Sequence, residues 1–138
     1  MTSQAIPIRD YISHKQVTIH KEDAISHVVE LLVKTGLTGS PVVDDNNHVI
    51  GFISEHDCMK KVIGDTYFSQ DTATAQDLMQ NTVTSISSGA NMLHAADLLE
   101  AGGHRLFPVV DEDNRPVGIL TRGCILKGLM DHYQSNVV

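Results

Sequence analysis

Pro41-Val42-Val43-Asp44 returns as Pro108-Val109-Val110-Asp111, a shift of 67 residues that decides how the rest of the chain is read. The same shift, without a gap, lays Asp10 on Asp77, Ile19 on Ile86, His27 on His94, Leu31-Leu32 on Leu98-Leu99, Gly36 on Gly103, Asn47 on Asn114 and Gly51 on Gly118. One register kept through so many positions marks an internal duplication, and the chain is two copies of one folding unit.

The hydrophobic period inside each copy changes in a fixed order. Val17-Thr18-Ile19 is a short apolar stretch that predicts a strand, and Ile25, Val28, Val29 and Leu32 then follow the spacing of one buried helix face. Met92, Ala95, Ala96 and Leu99 repeat those offsets, and Gly36 or Gly102-Gly103 stands where a helix C-terminus calls for positive φ. Pro41-Val42-Val43 and Val49-Ile50-Gly51-Phe52-Ile53, separated by Asp44-Asp45-Asn46-Asn47-His48, predict a β-hairpin. The acidic loop lacks the sixth-position glycine of a calcium loop, Val49 standing there, so no calcium site is expected. Ser54 is placed to cap a second helix with Asp57 in its first turn, and Thr74 to cap a short helix, Ala75-Gln76-Asp77-Leu78-Met79, the counterpart of Ile8-Arg9-Asp10-Tyr11-Ile12. The unit is strand, helix, strand, strand, helix. One copy of about 55 to 60 residues buries only some 60 % of its unfolded surface, so it is marginal alone and packing against its twin adds core.

Composition narrows the function. The chain has 138 residues, 41 % of them hydrophobic and 20 % charged, which suits one compact globular domain. The formal net charge of −7 opposes a phosphate backbone, so nucleic-acid binding is not expected, and attachment to an anionic membrane surface is disfavoured for the same reason. No apolar run approaches a membrane span, and Met1-Thr2-Ser3-Gln4-Ala5 lacks the features of a secretion signal; the expected location is cytoplasmic. Cys58 and Cys124 are expected to be free thiols. The eight histidines form no His-x-x-x-His pair, and neighbours such as His56, Asp57 and Cys58 do not face one another on a helix. Neither a metal site nor a catalytic centre is expected.

The order of a short Asp-containing helix, a strand with Val-Thr before its Ile, an amphipathic helix, a Pro-Val-Val-Asp strand and a Gly-hydrophobic-hydrophobic-Ser/Thr stretch before the last helix resembles the cystathionine-β-synthase (CBS) motif. It occurs twice, over roughly residues 6 to 133. The chain is thereby identified as a tandem CBS pair, or Bateman module, with one motif at 6–64, a connector at 65–74 and the second motif at 75–133. The resemblance implies an α/β fold of two β-α-β-β-α units packed through their sheets about a pseudo-twofold axis, with clefts at the seam. It also implies a regulatory role, a homodimer, and a bound adenosine derivative (AMP, ADP, ATP or S-adenosylmethionine), with no cofactor required and an unidentified regulated protein as partner. A ligand-free dimerisation or interaction module is the alternative.

The resemblance carries over residue by residue. Gly51-Phe52-Ile53-Ser54-Glu55-His56-Asp57 matches the family's Gly-h-x-Ser/Thr-x-x-Asp stretch, which implies that Ser54 and Asp57 meet the ribose and phosphate region. A carboxylate can accept from both vicinal ribose hydroxyls, yet Ser54-x-x-Asp57 also reads as a plain capping pair. Thr82, Val83, Thr84 and His104 are expected beside the same ligand, with Arg105 as a phosphate clamp whose planar fork fits two oxygens. A weaker second cleft would draw on Thr18, Gly39, Ser40 and Thr121. There Gly118-Ile119-Leu120-Thr121-Arg122-Gly123-Cys124 departs from the pattern, Cys124 replacing the carboxylate, so the two clefts should be unequal.

Overall fold

The computed structural model describes residues 6–14, 18–64 and 73–135. Most of the expected connector, 65–72, and Val17 of the first expected strand lie outside these residues. Each repeat forms a three-stranded sheet: β1 (Ile19–His20), β2 (Gly39–Val43) and β3 (Val49–Ser54) in one, and β4 (Ile86–Ser87), β5 (Leu106–Val110) and β6 (Pro116–Thr121) in the other, with the middle strand of the sequence also central in space. β1 runs parallel to β2 and β4 parallel to β5, the crossovers being α1 (Ile25–Thr35) and α4 (Met92–Glu100). β2 and β3 form the expected antiparallel hairpin. The second helices are α2 (Glu55–Gly64) and α5 (Arg122–Ser135), and α3 (Ala75–Leu78) corresponds to a 3-10 helix at Ile8–Asp10.

Local chemistry explains these boundaries. α1 buries Ile25, Val28 and Leu32, and Gly36 ends it at φ 73°. Asn47 and Asn114 occupy equivalent hairpin turns at φ 64° and 62°, a region that asparagine tolerates better than most residues with a Cβ. The Asp44 carboxylate accepts the Asn46 and His48 backbone N–H groups, each at 2.9 Å. The His48 bond is the larger of these influences, and together they hold Asp44 below the usual carboxylate range. The acidic loop is therefore a turn stitched by its own side chain.

The chain divides into two compact units that cut across the repeats. The first contains the described residues 18–64 and 73–83, with Asn114–Pro116; the second contains 6–14, 84–113 and 117–135. Thus α3 joins the unit built mainly by the first repeat, and the 3-10 helix joins the unit built mainly by the second. In the first unit Gln80 bridges to β3: Phe52 N–H donates to Gln80 O at 2.9 Å, and Gln80 N–H to Phe52 O at 2.7 Å. Gly51 permits this approach, since a Cβ there would lie 2.9 Å from Gln80 O and collide with Met79 Sδ. In the second unit Ser13 and Ile119 make the same exchange at 2.8 and 3.0 Å, beside Gly118, whose Cβ would collide with Ile12.

Each unit has its own core. Ile19, Ile25, Val28, Leu32, Val42, Ile53 and Ala75 are buried in the first. Ile6, Ile8, Ile86, Met92, Phe107, Val109, Leu120 and Ile125 form a cluster in the second. Gly39 is buried in β2 because the Phe52 ring occupies the space of its absent side chain, 2.6 Å from where a Cβ would stand.

Candidate functional site

The first unit carries the most distinctive constellation, at the junction of β3 and α2. The first N–H groups of a helix have no partner within it, and here the sequence supplies one. Ser54 Oγ accepts the Asp57 N–H at 3.1 Å, while Asp57 Oδ2 accepts the Ser54 N–H and its Oγ–H, each at 2.9 Å. This is a reciprocal capping box with aspartate in place of the usual glutamate. Gln80 Nε2 donates to the same Oδ2 at 3.2 Å. Oδ2 thus receives three donors, and among the described residues none reaches Oδ1. Asp57 is half-buried. Cys58, directly after it, is buried, and burial together with Asp57 and Glu55 pushes its thiol up to about 11, leaving it protonated at neutral pH.

The equivalent corner of the second unit keeps the cap and loses the carboxylate. Thr121 Oγ1 accepts the Cys124 N–H at 3.2 Å and donates to Cys124 Sγ at 3.1 Å. The two helix starts are tied alike to the residue before the central strand, Glu55 N–H to Thr38 O at 2.8 Å and Arg122 N–H to Arg105 O at 3.3 Å. The two corners therefore share a backbone and differ in chemistry.

The structure brings Ser54, Asp57 and Gln80 into direct contact. Thr82 and Val83 follow Gln80 in the same unit, Thr82 exposed and Val83 half-buried. Thr84, His104 and Arg105 belong to the second unit; the last two are exposed before β5, with the His104 ring 5.1 Å from that of Phe107. Of the weaker set, Thr18 is exposed ahead of β1, Gly39 and Ser40 are buried in β2, and Thr121 lies in the second unit. Gln80 escaped the sequence reading because its repeat partner is Ser13 and nothing in the motif marks it. Both cysteines are free thiols. Among the described residues no group of three His, Cys, Asp or Glu side chains is placed to hold a metal ion, and no helix is long and apolar enough to cross a membrane.

Duplicated β-α-β-β-α units with a hydroxyl-capped helix after each hairpin define a tandem repeat module of the mixed α/β class. The chain belongs to the CBS domain family, whose profile matches residues 8–64 and 75–131. The CBS-pair protein CBSX2 of Arabidopsis thaliana superimposes with a TM-score of 0.81 at 27 % identity, covering 95 % of this chain and 99 % of that one. CBSX2 has also been solved in complex with AMP, and that structure matches with a TM-score of 0.76 at 28 % identity over the same shares. Two proteins of Methanocaldococcus jannaschii are similar in sequence: the uncharacterized protein MJ0188, 26 % identical over 92 % of this chain and 45 % of its own length, and inosine-5′-monophosphate dehydrogenase, 29 % identical over 90 % and 24 %. This chain spans less than half the length of either.

Proposed function

We propose that this CBS pair senses an adenosine derivative (AMP, ADP, ATP or S-adenosylmethionine) and transmits its presence to a partner protein, without itself being an enzyme. The observation that carries this reading is the divided carboxylate of Asp57. Capping consumes Oδ2 and leaves Oδ1, whose lone pairs suit the hydroxyls of a ribose. The capping and ligand readings of Ser54-x-x-Asp57 are therefore compatible, each using a different oxygen. The AMP complex of CBSX2, a protein of similar fold and 28 % identity, supports the ligand class. Thr82, Val83, Thr84, His104 and Arg105 carry over as proposed contacts on the resemblance alone, and Thr18, Gly39, Ser40 and Thr121 as a weaker set.

Coupling to a partner requires that the ligand prefer one state of the complex. The helices offer surface for association. Met59 and Ile63 on α2 are 57 % and 78 % exposed, and their repeat equivalents on α5, Leu126 and Met130, are 67 % and 49 % exposed. Residues four apart share a helix face, and we propose that these apolar stripes bury against a second copy of the chain.

A ligand at a hundredfold above Kd stabilises the protein by about 2.7 kcal/mol. Thermal-shift measurements with AMP, ADP, ATP and S-adenosylmethionine should give an upward shift with at least one, and Asp57→Ala should reduce the ligand-dependent part. No shift with any of them would leave a ligand-free interaction module as the better reading.

A further inference from the structure

The structure assigns Gln80 as the residue that positions Asp57 for a ribose, an inference that rests on the adenosine-sensing reading. Three observations separate its side chain from mere architecture. The backbone bridge at this position needs no glutamine, because Ser13 makes the same two bonds to Ile119 in the second unit. Capping needs no third donor either: Thr74 and Asp77 form a complete box at the start of α3 in which, among the described residues, the carboxylate receives only the Thr74 N–H at 2.9 Å and its Oγ–H at 3.2 Å. Finally, the pair changes together. Where Asp57 becomes Cys124, Gln80 becomes Ser13, a side chain with no amide.

The geometry explains what the third donor does. Gln80 is pinned by its two backbone bonds to Phe52, so its amide starts from a fixed point and meets Oδ2 at 3.2 Å. The two capping donors already commit Oδ2 to the fold. The amide, reaching the same oxygen from outside the helix, restrains rotation of the carboxylate and so fixes how the other oxygen is presented to a diol. The Gln80 Oε1 that accompanies the donating amide is itself an acceptor and can share the second hydroxyl. The class of ligand selected is a nucleoside with an intact ribose.

The experiment measures binding of AMP, ATP and S-adenosylmethionine, each with its 2′,3′-dideoxy counterpart, by titration calorimetry on the wild-type chain, Gln80→Ala and Gln80→Glu. The wild type should prefer the ribose form. Gln80→Ala should weaken that form about tenfold, the usual scale for one hydrogen bond to a charged group, while leaving the dideoxy form unchanged. Gln80→Glu, which sets a second carboxylate beside Asp57 in place of the donor, should weaken the ribose form at least as much. An equal loss for both sugar forms in Gln80→Ala, or no loss, overturns the positioning role while the sensing reading stands. Failure of the wild type to bind any of the three overturns the sensing reading, and this inference with it.

Discussion

Replacing Gly51 with alanine tests the packing that carries Gln80 to Asp57. The new Cβ would sit 2.9 Å from Gln80 O and collide with Met79 Sδ. The methionine is flexible and can turn away, but the carbonyl belongs to a backbone paired twice with Phe52, at 2.9 and 2.7 Å. Losing both bonds at about 1 kcal/mol each costs about 2 kcal/mol, and the stiffer unfolded chain returns about 0.4 to 1 kcal/mol. The net loss is roughly 1 to 1.5 kcal/mol, or about 5 °C in a chain of this size. Gly123→Ala is the control of opposite sign. Its Cβ would meet only Thr121 Oγ1 at 3.7 Å, and within a helix the exchange should stabilise by roughly 0.5 to 1 kcal/mol. Urea denaturation at constant m would measure both. Equal midpoints for Gly51→Ala and the wild type would refute the claim that the Gln80 carbonyl keeps residue 51 small.

Three further outcomes follow from the cysteines and the helix faces. At pH 8 a chromogenic disulfide should modify the half-buried Cys124 in the folded protein but reach Cys58 only on unfolding, and rapid reaction of both would contradict the burial of Cys58. Because the folded Cys58 thiol lies near 11 against 9.0 for a free one, its contribution to stability is complete below pH 9 and fades as pH rises towards 11. Cys58→Ala should flatten that decline. Sedimentation should show a dimer that Ile63→Glu combined with Met130→Glu converts to monomer, and a monomeric wild type would dismiss the proposed association face.

The sequence made the elements readable because each rests on local chemistry: the i, i+3, i+4, i+7 face of α1, the turn asparagines, the Ser54 and Thr74 caps. The hairpin followed by the same route. The membership of the compact units did not follow, for a physical reason. When two copies share one pattern, α3 and the 3-10 helix present equivalent surfaces, Met79 beside Gly51 and Ile12 beside Gly118, so periodicity cannot tell which copy each will join. Gln80 was hidden similarly. Its importance lies in a side-chain contact across 23 residues, and no local rule of spacing encodes one.

The two helix-start corners show how a duplicated fold can diverge in chemistry without losing stability. A cap is worth about 1 kcal/mol and needs only an acceptor for an early N–H. Thr121 supplies that acceptor to Cys124, as Ser54 does to Asp57, and the carbonyls of Arg105 and Thr38, just before β5 and β2, accept the first helical N–H alike. The carboxylate is therefore not what keeps α5 in place. Its replacement by a thiol withdraws a strong double acceptor from the second corner at small cost to the helix. Retaining Asp57 in the first corner, with Gln80 loading one oxygen and no donor among the described residues on the other, exceeds what capping requires, and that surplus favours a ligand.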